Sequence, residues 1–211
     1  MQNALAHLKS SDPVLAAIIE RVGPCNISYR EPEFSSLVRS IVFQQLSGKS
    51  AMPIFNRLLE ACGGRITPEA ILKLRMPRLR KVGLSRQKIS YIRDLARSIQ
   101  TGKLDFAALP HLPDEEIIQR LIAIKGIGVW TAHMFLLFAL RRENVLPVGD
   151  FGVRNAIRKA YRKRNLPSPK QMEKLAKNWH PYCSIASWYL WRSLELPSAP
   201  ALGDCRPPVV S

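Results

Sequence analysis

The chain has 211 residues, enough for one compact unit or for two small lobes that share a core. Its 32 Lys and Arg residues outnumber its 16 Asp and Glu residues, and the resulting formal charge of +16 makes a nucleic acid the leading candidate partner. The apolar fraction is typical of a globular protein and excludes wholesale disorder. The sequence shows no apolar signal segment and no apolar run near the roughly 18 residues of a membrane span. We therefore expect a protein of the cytoplasm or nucleoid, or of the nucleus in a eukaryote, without a membrane partner.

The cysteines are few and widely spaced. Cys25, Cys62, Cys183 and Cys205 form no CxxC pair and no cluster with the histidines, so the pattern predicts free thiols in a reducing compartment. The closely spaced ligands of a zinc site or an iron–sulfur cluster are also missing. The sequence therefore predicts no metal site and no iron–sulfur cluster.

Apolar residues recur at helical spacing along the chain, and no run alternates as a strand would. Asp12 and Pro13 predict the start of the first helix, and Gly23 predicts its end. Further helices are expected at about 33–45, from Gly48 to Cys62, after Thr67, from Pro77 to Gly83, at 86–100, from Pro113 to a glycine link at 125–128, at 129–142, at 151–162, from Ser168 to 179 and at 182–194. About ten short helices with short links indicate an all-α fold.

The link at 125–128 separates two apolar helices and carries Gly126 and Gly128. Glycine permits a tight turn and a close approach by another backbone, and the free N–H groups that begin the next helix attract an anion. The link, with Lys125 inside it and Thr131 just after it, therefore predicts a site for a DNA phosphate that reads no base sequence. The alternative is a plain αα-hairpin whose glycines serve the turn alone.

A lone acid, Asp150, follows the loop 146–149 and opens the next predicted helix. A fixed carboxylate can stabilise a developing positive charge and can orient or deprotonate an attacking water. The alternative is an ordinary helix N-cap. The two roles are compatible if the cap faces a cleft.

Several motifs in one order resemble the helix–hairpin–helix DNA glycosylase superfamily over about residues 30–195. In that family the hairpin is followed, roughly twenty residues later, by an aspartate after a loop that contains glycine and proline, and here that loop is 146–149. The sequence is most similar to the 3-methyladenine DNA glycosylase II branch, through the runs 43–49 (FQQLSGK), 83–92 (GLSRQKISYI) and 179–192 (WHPYCSIASWYLWR). One departure is Cys183, at a position where that branch usually has arginine.

This resemblance implies a monofunctional DNA glycosylase of base excision repair. Such an enzyme flips an alkylated purine, of the 3-methyladenine or 7-methylguanine type, out of double-stranded DNA and hydrolyses its N-glycosidic bond. Asp150 would stabilise the oxocarbenium-like transition state. Relatives with lyase activity carry a Schiff-base lysine where Trp130 stands here, and Lys125 lies five residues earlier, so no lyase activity is expected. The alternatives are a glycosylase for a mismatched, deaminated or oxidised base, and a non-catalytic helix–hairpin–helix DNA-binding module.

The resemblance also assigns a pocket for the flipped base. Trp130 and Trp191 match the aromatic walls of the family's pocket, and aromatic faces attract electron-poor, positively charged purines. Trp188 and Phe43 are weaker candidates, because both could equally be core residues.

A wedge residue is expected in the turn after the helix at 33–45. Enzymes that flip a base insert a side chain into the gap that the base leaves, and the resemblance gives this role to Gln45 or Leu46. A plain helix-end turn is the alternative.

The expected architecture has two helical lobes with a DNA-binding cleft between them, and Asp150 enters the cleft from one lobe while Trp130 faces it from the other. A monomer without a cofactor is expected, although the hairpin could hold a monovalent cation. The expected parts are a lobe at 35–144 that contains the helix–hairpin–helix motif at about 114–141, a lobe formed by 1–34 with 145–195, and an extended or disordered tail at 196–211.

Overall fold

Twelve α-helices lie within residues 1–196, the part of the chain that the computed structural model describes, and no strand occurs among these residues. The predicted all-α fold is confirmed. The predicted tail at 196–211 lies outside the described residues, apart from Leu196. The helices are α1 (Gln2–Ser11), α2 (Pro13–Val22), α3 (Phe34–Phe43), α4 (Gly48–Ala61), α5 (Pro68–Lys73), α6 (Met76–Lys81), α7 (Arg86–Gln100), α8 (Asp114–Ile122), α9 (Val129–Phe138), α10 (Phe151–Ala160), α11 (Pro169–Ala176) and α12 (Cys183–Ser193).

Polar side chains begin several helices at the residues that the sequence marks for this role. Asp12 accepts hydrogen bonds from two backbone N–H groups of α2. Ser47, Thr67, Ser85 and Ser168 each accept a bond from the third residue of the helix that follows. Such caps satisfy N–H groups that have no partner inside the helix, and each stabilises the fold by about 1 kcal/mol.

One helix was not predicted, and two others end early at residues with a left-handed backbone nearby. The helix α1 precedes Asp12 and was not predicted, because its buried residues are few. The helix predicted at 129–142 ends at Phe138, and the helix predicted at 151–162 ends at Ala160. The chain leaves these two helices through Arg141 and Arg162, whose φ angles are +56° and +49°. Glycine or asparagine usually occupies such left-handed positions, so the residue types gave no stop signal.

The buried apolar side chains form two clusters. One runs from Phe34 to Val145 and is built from α3 to α9, whereas the other joins residues 4–19 to residues 153–190 and is built from α1, α2 and α10 to α12. The helix α9 therefore belongs to the first cluster, and α10 and α12 belong to the second. None of the helices within residues 1–196 combines the length and the apolar content that a membrane crossing requires.

Ser184, near the start of α12, anchors the segment that connects the two clusters. Its hydroxyl donates to the carbonyl of Arg142 at 2.6 Å and accepts from the N–H of Val145 at 2.9 Å. Its own N–H donates to the carbonyl of Glu143 at 2.9 Å. The chain is thus fixed to α12 just before the loop that leads to Asp150.

Candidate active site

The glycine link between α8 and α9 is a tight turn against α7. Gly126 has a φ of +87°, and a Cβ added to it would lie 2.0 Å from Cγ of Tyr91. Only glycine fits there, because both the backbone conformation and the Tyr91 ring exclude a side chain. Ile127 points inward and is 4% exposed. The link therefore packs on the first cluster through two contacts. The Tyr91 ring lies against Gly126, and the Ile127 side chain is buried in the cluster.

Gly128 has a different environment from Gly126. It is the N-cap residue of α9, its φ of −97° suits any residue, and a Cβ added to it would meet nothing within 4 Å. Its bare Cα leaves open space in front of the first N–H groups of α9, which have no partner within the helix. This is the geometry of an anion site at a helix N-terminus. Lys125 is exposed beside it.

Thr131, expected to contact a phosphate, is turned inward. Its side chain is 2% exposed, and its hydroxyl accepts a hydrogen bond from Nε2 of Gln44 at 3.2 Å. The hydroxyl therefore faces Gln44, and the assignment of Thr131 to the phosphate site stays a prediction. The side chain faces the end of α3 because α9 packs there, and the backbone N–H of Thr131 remains among those that begin α9.

Asp150 is a buried carboxylate held by three N–H donors. It is 8% exposed and caps α10, where Oδ1 accepts from the N–H of Val153 at 2.8 Å. Nε1 of Trp191 donates to the same oxygen at 2.7 Å, and Nε1 of Trp130 donates to Oδ2 at 2.7 Å. A carboxylate has about four lone-pair sites, so these bonds leave roughly one, on Oδ2, for a further partner. Asp150 is therefore the N-cap of α10, and its carboxylate can still accept one further hydrogen bond.

The two tryptophans reach Asp150 from different parts of the fold. Trp130 stands in the first turn of α9, a helix of the first cluster, while Trp191 stands near the end of α12 and packs against the second. Both rings are partly exposed. The structure thus brings together three of the predicted site residues where the clusters meet, with Trp130 facing Asp150 from the opposite cluster.

Gly152 makes this arrangement possible and was not predicted as a site residue. A Cβ added to it would lie 2.9 Å from Cδ1 of Trp191 and 3.0 Å from Oδ1 of Asp150. Real Cβ atoms essentially never approach another atom as closely as 2.9 Å, so the Trp191 ring lies directly on the glycine. The position two residues after the acid carried no signal in the sequence, because a glycine in the first turn of a helix does not by itself indicate that another side chain packs on it.

Phe138 is a second residue that the sequence interpretation missed. Its ring stacks on Trp191 with the centroids 5.8 Å apart and the planes at 23°, and the guanidinium of Arg30 lies 5.5 Å from its centroid. Phe138 follows Trp130 by eight residues, which returns to the same face of α9. That spacing was a signal that could have found it. Burial, with a smaller contribution from the charge of Arg39, lowers the pKa of Arg30.

The other predicted pocket residues lie farther from the acid. Trp188 is 7% exposed and packs edge-on against Tyr189 in the second cluster. This packing favours the core role for Trp188, and its assignment to the base pocket stays a prediction. Phe43 packs against the first cluster with the Arg39 guanidinium 4.1 Å from its ring centroid. This stacking favours the packing role for Phe43.

The turn between α3 and α4 is exposed, as a wedge requires. Gln45 has a φ of +57°, and Leu46 is 39% exposed. Both side chains are accessible to a partner, and the choice between them as wedge stays a prediction.

Cys183 is fully buried in the second cluster. This is the position where the 3-methyladenine DNA glycosylase II branch usually has arginine. Burial raises the pKa of the Cys183 thiol to about 12. The side chain therefore contributes packing at this position. Within residues 1–196, no group of three or more His, Cys, Asp or Glu side chains is arranged to hold a metal ion.

These observations define a class of protein. An all-α fold with a helix–hairpin–helix turn, followed by an aspartate held by tryptophans at the junction of two helical clusters, is the arrangement that the resemblance to DNA glycosylases predicts. The sequence matches the model of the HhH-GPD superfamily of base excision DNA repair proteins over residues 38–181. The chain belongs to this superfamily.

Individual relatives agree with this placement. DNA-3-methyladenine glycosylase 1 of Schizosaccharomyces pombe is 32% identical over 93% of this chain and 89% of its own length. A Bacillus subtilis protein named as a putative DNA-3-methyladenine glycosylase, YfjP, is 34% identical over 92% of this chain and 70% of its own. The structure of the S. pombe 3-methyladenine DNA glycosylase Mag1 in complex with abasic DNA superposes with a TM-score of 0.84 at 33% identity, covering 92% of this chain and 97% of that one.

Proposed function

We propose that this protein is a monofunctional DNA glycosylase that hydrolyses the N-glycosidic bond of alkylated purines in double-stranded DNA. The observation that carries the proposal is the Asp150 carboxylate, fixed by the indole N–H groups of Trp130 and Trp191 at 2.7 Å each. The names of the relatives support alkylated bases of the 3-methyladenine type as the substrate class.

The reaction breaks the bond between C1′ of the deoxyribose and the purine nitrogen. As this bond stretches, the sugar becomes oxocarbenium-like and positive, and a preorganised carboxylate stabilises that charge. Water then adds to C1′, and its proton passes to the open lone pair of Asp150 Oδ2 or to solvent. Three N–H donors hold the carboxylate in one orientation before the substrate arrives, so little reorganisation is needed in the transition state.

Because of the nature of the leaving group, one carboxylate is enough for this reaction. A purine methylated at N3 or N7 is positively charged while it is attached to the sugar, and it departs as a neutral base. It therefore needs no general acid to protonate it. The electron-rich faces of Trp130 and Trp191 attract the cationic ring, at about 0.5–2 kcal/mol for each cation–π contact, and this attraction favours charged lesions over ordinary bases.

The glycine link supplies affinity for the DNA backbone. The N–H groups that begin α9, with exposed Lys125 nearby, bind a phosphate next to the flipped nucleotide. The formal charge of +16 adds a long-range attraction to the duplex. Both sides of the site come from one chain, which supports the proposal that the protein acts as a monomer. The chemistry needs no metal or redox cofactor, and a monovalent cation at the hairpin stays a prediction.

The deciding assay measures release of methylated purines from DNA treated with a methylating agent. We expect Asp150→Asn to reduce the single-turnover rate by about 100-fold or more, because it removes the charge that faces the sugar. Asp12→Asn is the matched control, since Asp12 is also a buried N-cap that accepts an indole N–H, from Trp179 at 2.9 Å. That control should lower stability and keep the rate of the folded enzyme.

Two outcomes would contradict this proposal. Failure of the wild-type protein to release any methylated base would remove the enzymatic function. Equal rates for wild type and Asp150→Asn would remove Asp150 from its role.

Absence of lyase activity has a separate test. A Schiff base requires an amine at the sugar, and at the position in question the chain has the indole of Trp130. Treatment of the wild-type protein and abasic DNA with borohydride should therefore yield no covalent adduct. A trapped adduct would show that another amine reaches the sugar.

A further inference from the structure

Gln44, just after α3, connects the exposed turn to the glycine link. Its side-chain Nε2 donates to the carbonyl of Gly126 at 2.8 Å and to the hydroxyl of Thr131 at 3.2 Å. In the sequence, these two acceptors flank residues 127–130, which include the start of α9. A single amide group thus joins the end of α3 to both the turn of the hairpin and the first turn of α9.

Lys88 holds Gln44 from the opposite direction. Its ammonium group donates to the backbone carbonyl of Gln44 at 2.9 Å and to that of Val42 at 2.7 Å. Carbonyl groups at a helix C-terminus have no partner inside the helix, so a cation there both satisfies them and interacts favourably with the helix dipole. Gln44 is therefore fixed through its backbone by α7 and through its side chain by the hairpin.

The next residue, Gln45, is in an unfavourable conformation. Its φ of +57° is left-handed, which costs a residue other than glycine about 1–2 kcal/mol. Such strain persists where the surroundings fix the backbone, and it is frequent at functional sites. The neighbouring anchors are the bonds of Gln44 on one side and the Ser47 cap of α4 on the other. The exposed side chains of Gln45 and Leu46 project from a turn that is rigid at both ends.

We propose that Gln44 is a positioning residue that makes the hairpin and the exposed turn at 45–46 a single rigid unit. This inference rests on the proposed function and adds how the exposed turn is placed relative to the bound phosphate. When the hairpin binds a backbone phosphate, Gln44 fixes the distance from that phosphate to the turn, so the turn enters the base stack at the level of the flipped nucleotide. Gln44 itself touches neither the base nor the sugar.

A physical consequence distinguishes this role from general stabilisation. Flipping a base out of a duplex costs a few kcal/mol for unpairing and unstacking, and the cost is smaller when the base has no partner. A correctly placed turn offsets that cost. Loss of Gln44 should therefore slow excision of a paired lesion more than excision of the same lesion without a pairing partner.

The experiment uses Gln44→Met, which keeps the length of the side chain and removes both hydrogen bonds. Two duplexes carry one 7-methylguanine, opposite cytosine in the first and opposite an abasic analogue in the second. Single-turnover rates are measured with saturating enzyme, so that weaker DNA binding does not contribute. We expect Gln44→Met to slow excision of the paired lesion on the order of ten-fold, the effect of losing about one hydrogen bond, and to slow excision of the unpaired lesion clearly less. Gln119→Met, at an exposed residue of α8, is the matched control and should leave both rates unchanged.

Each outcome is decisive. A smaller effect on the unpaired lesion supports the positioning role, whereas equal slowing on both duplexes, or no slowing, overturns it. If Gln44→Met does not fold, the ratio of the two rates is measured for Lys88→Met, which releases the Gln44 carbonyl, and the same criteria apply. A wild-type protein that excises no methylated base from either duplex would instead refute the proposed function.

Discussion

Gly152→Ala is a small change that should separate activity from stability. The added methyl group would lie 2.9 Å from Cδ1 and 3.0 Å from Nε1 of Trp191, and 3.0 Å from Oδ1 of Asp150. Carbon atoms in contact are about 3.5–4.0 Å apart, so the ring must retreat by roughly 0.6 Å or more. The Trp191–Asp150 hydrogen bond, now 2.7 Å long, would stretch beyond the range of a good N–H···O bond.

The energies of the two effects are opposed. Alanine in place of glycine stabilises a helix by about 0.5–1 kcal/mol, while loss of a hydrogen bond to a charged group costs about 1.5–3 kcal/mol. The net loss of stability is therefore about 0.5–2.5 kcal/mol, which lowers the melting temperature by a few degrees. If the same bond orients Asp150 in the transition state, the excision rate should fall about ten- to hundred-fold.

The assay combines single-turnover release of methylated purines with a thermal melt. Trp191→Phe supplies a double-mutant cycle, because phenylalanine has no N–H to lose. If Gly152→Ala acts through Trp191, then adding it to Trp191→Phe should cost little further activity. A wild-type rate for Gly152→Ala, or full additivity of the two changes, would refute the reasoning.

Three further predictions concern the hairpin, the pH dependence of stability and the cysteines. Gly126→Ala should lower the melting temperature strongly, whereas Gly128→Ala should keep it and weaken binding to abasic duplex DNA, since its methyl group enters only the open space before α9; equal melting temperatures would contradict the clash with Tyr91. Burial lowers the pKa of His133, against the opposing charge of Asp114, so the unfolded state binds more protons just below pH 6.5 and stability falls as the pH falls from there. The melting temperature of wild type should therefore drop more between pH 7 and 5 than that of His133→Gln, and parallel curves would argue against this. Cys183, buried and with its thiol pKa raised to about 12, should react with iodoacetamide at pH 8 only after unfolding, as peptide mass spectrometry can show.

Local signals in the sequence determined much of the fold. Apolar spacing and capping residues such as Asp12 and Ser85 predicted most of the helices within a few residues, because these signals act over a single turn of chain. These local signals did not predict helix ends that tertiary contacts determine. The ends of α9 and α10 use Arg141 and Arg162 in a conformation that the residue type does not favour.

The sequence also identified the residues that are proposed to carry the chemistry. The spacing of Gly126, Gly128 and Asp150 indicated a hairpin followed by an acid, and the resemblance added Trp130 and Trp191. Each of these signals concerns a residue type at a fixed place in the chain. None of them states which side chains touch.

The contacts themselves were decided by the tertiary structure. Trp130 lies on α9, which contributes to the first cluster, and Asp150 caps α10, which contributes to the second. Only the tertiary fold brings the two indole N–H groups onto one carboxylate. Packing of α9 against the end of α3 turned Thr131 inward, and packing within the second cluster buried Trp188. A hydrogen bond between residues 41 positions apart, as for Trp191 and Asp150, depends on the crossing of helices and has no local signature in the chain. The sequence by itself therefore specified the helices and the acid, while the fold determined what holds the acid in place.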